Sequence, residues 1–422
     1  MKPLLLLSFV STLVFDPSIS HGPFVGHVDS KSAVIWCRCS EPGDYKCLLT
    51  SENDRKAVVA SATASPKNDL CVKFKFDNLA SGQKYSYSIA TGNGTLVEGA
   101  DYFFKTSDND DRQTSIKIGF GSCAKEDNGT ANAWKKISEL NLDAFVLLGD
   151  TPYIDTTNLG QQRKRYREFA AVKPMAKLFR STSMYGVWDD HDFGRNDTNG
   201  KLKGKENSRQ SFTEFRANSS FGNGTAGIYS KFRRGTIEVF LLDTRYFAAT
   251  ENSPFADNQP SLLGSDQWNW LKQSLMESSA TFKVLACGMV WNGAVRIGKR
   301  DHWMTYSHER DELFRFIGAE KIAGVVLVAG DIHRSRVIKH AAAEIAGYDL
   351  YEFISSPLHS HVIGLAKQPH PGLLFDAGEP HTFLTLATNS NSTVLVAKLQ
   401  NAAGEILFEK RLKADSLNQT KK

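Results

Sequence analysis

Four short segments constrain this chain more than anything else in it: Gly121-Ser122-Cys123, Gly149-Asp150-Thr151-Pro152-Tyr153, Trp188-Asp189-Asp190-His191-Asp192 and Gly330-Asp331-Ile332-His333. Each follows an apolar run that reads as a β-strand, such as Asp143 to Leu148 or Gly324 to Ala329. Each delivers metal-binding groups: a thiolate, carboxylates, a phenol or imidazoles. Open α/β sheets place their sites at the carboxyl ends of strands. The pattern predicts one polynuclear metal site, suited to hydrolysis, assembled from several strand ends.

The rest of the chain divides around these segments. Residues 24 to 106 read as short alternating strands: Ala33 to Arg38, Tyr45 to Thr50, Ala57 to Ala62, Cys71 to Phe76, Tyr85 to Ala90 and Tyr102 to Thr106. Period-two alternation without helices predicts a β-sandwich of immunoglobulin or fibronectin-III type, with Trp36 in its core. Asp108-Asn109-Asp110-Asp111 reads as a linker. From Ile116 onward strands alternate with helices predicted at Ala131 to Leu140, Gln161 to Phe179, Ser265 to Met276 and His308 to Ile317. Strands then dominate, at Leu350 to Ser355, Thr382 to Ala387, Thr393 to Leu399 and Ile406 to Leu412. This order implies a mixed-sheet α/β (α+β) domain. The expected divisions are residues 1–20, 21–107 and 112–413. Residues 197 to 226, rich in Gly, Asn, Ser and Lys, read as a lid.

Residues 1–20 have the form of a signal peptide: Lys2, an apolar stretch from Leu4 to Phe15, and small residues at Ser18 and Ser20 before a cleavage point at His21. That stretch is too short to span a membrane. The expectation is a secreted or cell-surface protein without a transmembrane segment. Asn93, Asn128, Asn196, Asn218, Asn223, Asn391 and Asn418 head glycosylation triplets. In an exported chain Cys37, Cys39, Cys47 and Cys71 are expected to pair, in any of three connectivities, while Cys287 reads as a buried strand residue. Cys123 is left over on a loop, where its thiolate could bind metal. The net charge of +5 is spread along the chain, and the basic stretch Gln161 to Arg167 reads as an exposed helix face. A nucleic-acid partner is not expected.

The chemistry follows from the residue types. Asp150 is presented by a glycine turn after a buried strand, and Tyr153, three residues on, can reach the same ion as a phenolate. A phenolate favours a hard trivalent ion such as Fe3+. Asp189, Asp190 and Asp192 crowd three carboxylates together, which repel unless cations such as Ca2+ intervene. His191 could ligate or act as general acid. Asp331 and His333 share one side of an extended segment. Asp243 and Arg245 read as a supporting ion pair, with phosphate binding by Arg245 as the alternative. His359 and His361, after Ser355-Ser356-Pro357, read as surface histidines, with lining of the site's mouth as the alternative.

Taken together, these motifs resemble those of the alkaline phosphatase D (PhoD-like) metallophosphatases. Further landmarks of the resemblance are Gly22-Pro23-Phe24-Val25-Gly26-His27-Val28, Asp301-His302-Trp303 and Tyr306-Ser307-His308-Glu309-Arg310. The resemblance implies a four-layer metallophosphatase domain behind the sandwich, with one Fe3+ and Ca2+ at its site. It places Cys123, Asp150, Tyr153 and His333 on the iron side, and Asp150, Asp190 and Asp331 on the calcium side. Asp189 competes with Asp190 for that role, and Asn196 is a further candidate. Purple acid phosphatases share the GlyAspxxTyr segment but require histidines where this chain has Leu285-Ala286-Cys287-Gly288 and Asp331.

The resulting expectation is a monomeric, exported phosphomonoesterase acting on small phosphate esters through a metal-activated water or oxo nucleophile. Asp150 and His191 would be catalytic, and His191 and Arg245 would bind substrate. Phosphodiesterase or phospholipase-D-like activity at the same site is one alternative. An inactive adhesion or carbohydrate-binding module is the other.

Overall fold

The computed structural model describes residues 17–51, 57–108, 115–389 and 393–419. Most of the signal-peptide reading falls outside these residues, but Ile19 and Ser20 lie inside them and open the first strand, Ile19–Val28, with Ile19 opposite Cys39.

The N-terminal strands form two antiparallel sheets. One joins Ile19–Val28, Ala33–Cys39 and Cys71–Phe76; the other joins Val58–Ala64, Gly43–Ser51, Lys84–Thr91 and Gly94–Val97, with Phe103–Lys105 also paired to Lys84–Thr91. Alternation along Ala33–Cys39 sends Ala33, Ile35, Cys37 and Cys39 into the core shared with the second sheet. Trp36 leaves on the opposite face, stacks on Phe24 at 5.1 Å and meets Phe215 at 5.7 Å in the larger core of the molecule. Its indole N–H donates to the Glu214 carbonyl at 2.8 Å. This small sheet is therefore buried on both faces.

All six cysteines are free and buried thiols, which overturns the expected disulfides. Strand parity accounts for Cys71. Val72, Phe74 and Phe76 point into the inter-sheet core with Cys37, Cys39 and Cys47, so Cys71 is left on the other face with Trp36.

The remainder is built on two mixed sheets that share one core. The first has the order Ser183–Val187, Ala144–Leu148, Ile116–Gly121, Thr382–Thr388, Val394–Asn401 and Ile406–Lys413. The second runs Ser230–Arg234, Ile237–Leu241, Phe282–Ala286, Val325–Ala329, Leu350–Ile354, Ser335–His340 and Leu373–Ala377. Strands such as AFVLL at Ala144–Leu148 and VVLVA at Val325–Ala329 are buried along their whole length. Parallel strands covered on both faces require such unbroken apolar runs. The sheets are tied where their ends approach: the Ser122 hydroxyl donates to the Ser355 carbonyl at 2.9 Å, and the Ser355 hydroxyl to the Phe120 carbonyl at 3.0 Å. The parallel strands of both sheets thus discharge their following loops into one region.

Two expectations about the elements are corrected. The helix predicted over Gln161 to Phe179 is two helices, Leu159–Ala170 and Lys173–Leu178. Pro174 has no N–H to give, so it opens the second helix instead of continuing the first. Residues 197 to 226 are not a loose lid. They hold the helix Lys205–Phe215, anchored by buried Ser208, Ser211, Phe212 and Phe215, with Phe212 edge-on to Trp188 at 5.2 Å. In the same segment Asn218 is buried, bonding the Gly186 N–H at 3.1 Å and its carbonyl at 2.8 Å, so its triplet serves structure. Among the described residues no helix is long and apolar enough to cross a membrane.

Candidate metal centre

The loops that leave the two sheets close on one another tightly. A Cβ on Gly149 would lie 2.4 Å from the Asp189 Cβ, and one on Gly288 would lie 2.4 Å from the Asp189 Cγ. Only glycine lets these two loops pack against Asp189 from either side. Cys123, Asp150, Asp331 and His333 hold left-handed backbone conformations, with φ of 55°, 53°, 67° and 51°. Each costs roughly 1 to 3 kcal/mol and persists only because its surroundings impose it, and such strain gathers where side chains must be aimed.

The aimed side chains converge. Cys123 Sγ lies 3.4 Å from Asp150 Oδ2 and 3.5 Å from the Asp331 carbonyl. The Tyr153 hydroxyl lies 2.8 Å from His333 Nε2 and 3.0 Å from His359 Nε2. Four donor groups emerge, each with its ligand atoms within 4.8 Å of one another: Cys123, Asp150 and His333; Asp150, Asp190 and His191; Asp189, Asp190 and Asp331; Asp190, Asp197 and Asp301. Asp150 joins the first two, and Asp190 joins the last three. Sulfur, nitrogen and phenol donors gather at one end, and carboxylates at the other.

A metal fits this arrangement on the evidence of its unmet atoms. Asp150 Oδ1, Asp189 Oδ2 and His333 Nδ1 are buried without hydrogen-bond partners. Buried charge of this density is costly without a counter-ion. Burial pushes the Asp150 carboxyl well above its ordinary range, and the charges of Asp190, Asp189, Asp192 and Asp331 push it further. The Cys123 thiol and the Tyr153 phenol rise for the same reasons, burial first and then the neighbouring anions. Burial, helped by the other histidines, lowers His333 to about 2, while burial and Lys125 lower His359 to about 4. Both rings are therefore neutral and able to offer a lone pair.

Two internal cations share the acidic end. The Arg245 guanidinium, 1 % exposed, grips Asp301 with two bonds of 2.8 and 2.7 Å and donates from Nε to Asp189 at 2.7 Å. The expected Asp243–Arg245 ion pair is thereby corrected. Asp243 instead accepts from the Trp188 indole at 2.8 Å and from the N–H groups of Ile228, Arg245 and Tyr246, each at 2.9 Å. Nor is Arg245 placed to grip a substrate, since its donors are spent on buried carboxylates and the Thr198 carbonyl. Replacing it, Arg245→Met, leaves Asp189 and Asp301 uncompensated and should cost about 3 to 5 kcal/mol in metal-free protein. Urea unfolding in the presence of a chelator measures this; a loss under about 1 kcal/mol would show that the pair is not holding these loops.

Lys299 is the second cation, with Nζ 2.9 Å from Asp331 and 3.2 Å from Asp197. Burial disfavours its charge, yet Asp331, Asp301, Asp190 and Asp197 outweigh burial and hold it far above the ordinary lysine range. Asp190 is likewise kept ionised: burial opposes its charge, but Arg245, His191 and Lys299 outweigh it.

His191 faces the junction of the two ends. Its Nδ1 lies 2.5 Å from Asp155 Oδ1, and its ring is 4.7 Å from that of Tyr153. The candidates read from the sequence, Cys123, Asp150, Tyr153, Asp190, His191, Asp331 and His333, all lie in this one cluster. Asn196 does not join it; it is exposed, and its neighbour Asp197 supplies the carboxylate. Asp155 and Lys299 escaped the sequence reading, and Asp301 entered it only as part of the Asp301-His302-Trp303 landmark, with no role at the site. His359 is not at the surface, being fully buried against Tyr153, whereas His361 is exposed. The signal for His359 was available, since it follows the apolar strand Leu350–Ile354 as the other ligands follow theirs.

A family model for PhoD-like phosphatases matches residues 118–407, and the chain belongs to this family. Alkaline phosphatase D of Bacillus subtilis (strain 168) is 24% identical over 386 residues, covering 76% of this chain and 66% of that relative. The chain thus spans a little under two thirds of that relative's length. The solved structure of PhoD matches with a TM-score of 0.76 at 19% identity, over 97% of this chain and 94% of that one. Purple acid phosphatase PPD1 from yellow lupin (Lupinus luteus) seeds matches with a TM-score of 0.70 at 11% identity, over 94% of this chain and 74% of that one. At such identities the two structures speak to the shared mixed α/β fold alone.

Proposed function

We propose that this protein is an exported, metal-dependent phosphate-ester hydrolase that favours small monoesters, with residues 21–107 as an immunoglobulin- or fibronectin-III-like unit. The observation that carries the reading is Asp150, whose carboxylate belongs to both a thiolate–imidazole group and an acidic group and keeps one buried oxygen unpartnered. In this reading Cys123, Asp150, Tyr153 and His333 hold Fe3+, and Asp150, Asp190 and Asp331 hold Ca2+. Metals bound there supply charge to bind the phosphate and lower the pKa of water for in-line attack. The residues of the chain do the rest. Asp155 fixes the His191 ring through Nδ1 and leaves Nε2 to pass a proton to the departing oxygen. Neutral His359 and His333 bracket the Tyr153 hydroxyl and fix its direction. Arg245 binds no substrate here; it holds Asp189 in place.

Hydrolysis of para-nitrophenyl phosphate and of its bis-ester tests this, with calcium and iron supplied and again after chelation. The expected result is turnover of the monoester that chelation removes and calcium restores. Preference for the diester would transfer the assignment to a phosphodiesterase. No turnover of either ester in metal-loaded protein would overturn the reading.

A further inference from the structure

The two most exposed large apolar side chains among the described residues stand at the mouth of the site. Ile297 is 87 % exposed and Leu365 76 %, whereas the others of this kind reach 55 % at most. Each is two residues from one that touches the centre. Lys299 sets its Nζ 2.9 Å from Asp331, and the Ile363 N–H donates to the His333 carbonyl at 3.3 Å. Two residues of chain reach at most about 7 Å, so both tips stand close above the ligands. The loops that carry them are braced. Buried Arg336 donates to the Ala294 carbonyl and, at 2.8 Å, to the Gln368 carbonyl, while the Gln368 N–H donates to the Val295 carbonyl at 3.1 Å. A Cβ on Gly298 or Gly364, the neighbours of the two tips, would meet nothing within 4 Å. The bases are thus joined while the tips stand clear of the body.

We propose that Ile297 and Leu365 form an apolar rim that selects phosphate monoesters carrying an alkyl chain on the leaving oxygen. The inference rests on the phosphatase reading above and narrows its substrate to an amphiphilic ester, anionic at one end and apolar at the other. Single exposed aliphatics are ordinary, but two held together at the edge of a site mark a surface that meets an apolar partner. The rim is also cationic. Arg300 lies three residues from Ile297 and Lys367 two from Leu365, and both are exposed. These charges draw the phosphate end toward the mouth. The chain behind it then lies against the two tips, and each methylene covered there is removed from water.

A chain-length series tests this. Release of phosphate from ethyl, butyl, hexyl and octyl phosphate is followed with the metal-loaded full chain and its Ile297→Ser/Leu365→Ser variant. The four alcohols are similar leaving groups, so a slope in kcat/KM reports contact with the chain. In the wild type kcat/KM is expected to rise at least about tenfold from ethyl to octyl, against a ceiling of about fourfold for each fully buried methylene. The variant should lose that rise and keep its turnover of ethyl phosphate within about twofold, because both side chains are exposed. Calorimetry with ethylphosphonate and octylphosphonate, which are not hydrolysed, should show the same preference in Kd and the same loss. A flat series in the wild type, or an unchanged slope in the variant, would overturn the rim while turnover of ethyl phosphate upheld the phosphatase reading. No turnover of any ester, with calcium and iron supplied, would overturn both.

Discussion

Asp150→Asn lowers phosphate-ester turnover by at least about a thousandfold, equivalent to about 4 kcal/mol of transition-state stabilisation, and empties the site of metal. The residue joins the Cys123–His333 group to the Asp190–His191 group, so the substitution weakens both at once. An amide offers one neutral oxygen where the carboxylate offered two charged ones, and hard cations bind it far less well. Folding should survive, because asparagine tolerates the left-handed conformation that Asp150 holds at φ 53°. In chelator the variant should melt higher than the wild type, since a buried carboxylate crowded by Asp190, Asp189, Asp192 and Asp331 is replaced by a neutral group. Metal content by elemental analysis, together with the two melting temperatures, separates loss of the site from loss of the fold. Wild-type activity or wild-type metal content would remove Asp150 from the centre of the mechanism.

His191→Ala has the second-largest expected effect, a fall in kcat of about 10²- to 10⁴-fold with alkyl phosphates. The size depends on the leaving group, and that dependence is the informative part. An alkoxide needs a proton as it departs, whereas para-nitrophenolate leaves nearly as well without one. The loss should therefore be at least tenfold smaller with the nitrophenyl ester. The short bond to Asp155 gives His191 one fixed nitrogen and one free to exchange a proton, the arrangement a general acid requires. Equal losses with both substrates would make His191 a positioning residue instead.

The inner strands and their ligands were legible because they obey local rules. A covered parallel strand must be apolar throughout, and the groups that follow it must stand at the sheet edge, so Cys123, Asp150 and Asp331 could be picked out as candidates from local rules, while the choice between Asp189 and Asp190 stayed open. What stayed hidden depends on tertiary placement. The near neighbour Asp243 looked like the partner of Arg245, but the guanidinium reaches Asp189, 56 residues away, because two loops cross there. Asp155, Lys299 and Asp301 lie in irregular segments with no period to mark which way a side chain faces. The helix Lys205–Phe215 was obscured by the Gly- and Asn-rich sequence around it, although Phe212 and Phe215 carry its buried face. The break at Pro174 was visible in the sequence and should have outweighed the charge pattern of the surrounding residues.

The small sheet that sends Trp36 and Phe24 away from its own partner sheet has a consequence for how this molecule can be divided. Those rings complete a core that also contains Phe179 and Phe215, so a cut between the N-terminal sheets and the rest would wet an indole and a phenyl on one fragment. It would leave a matching hollow in the other. The N-terminal sheets are thus no detachable accessory that could be swapped or shed; they form one wall of the larger core, and the two parts must fold and melt together.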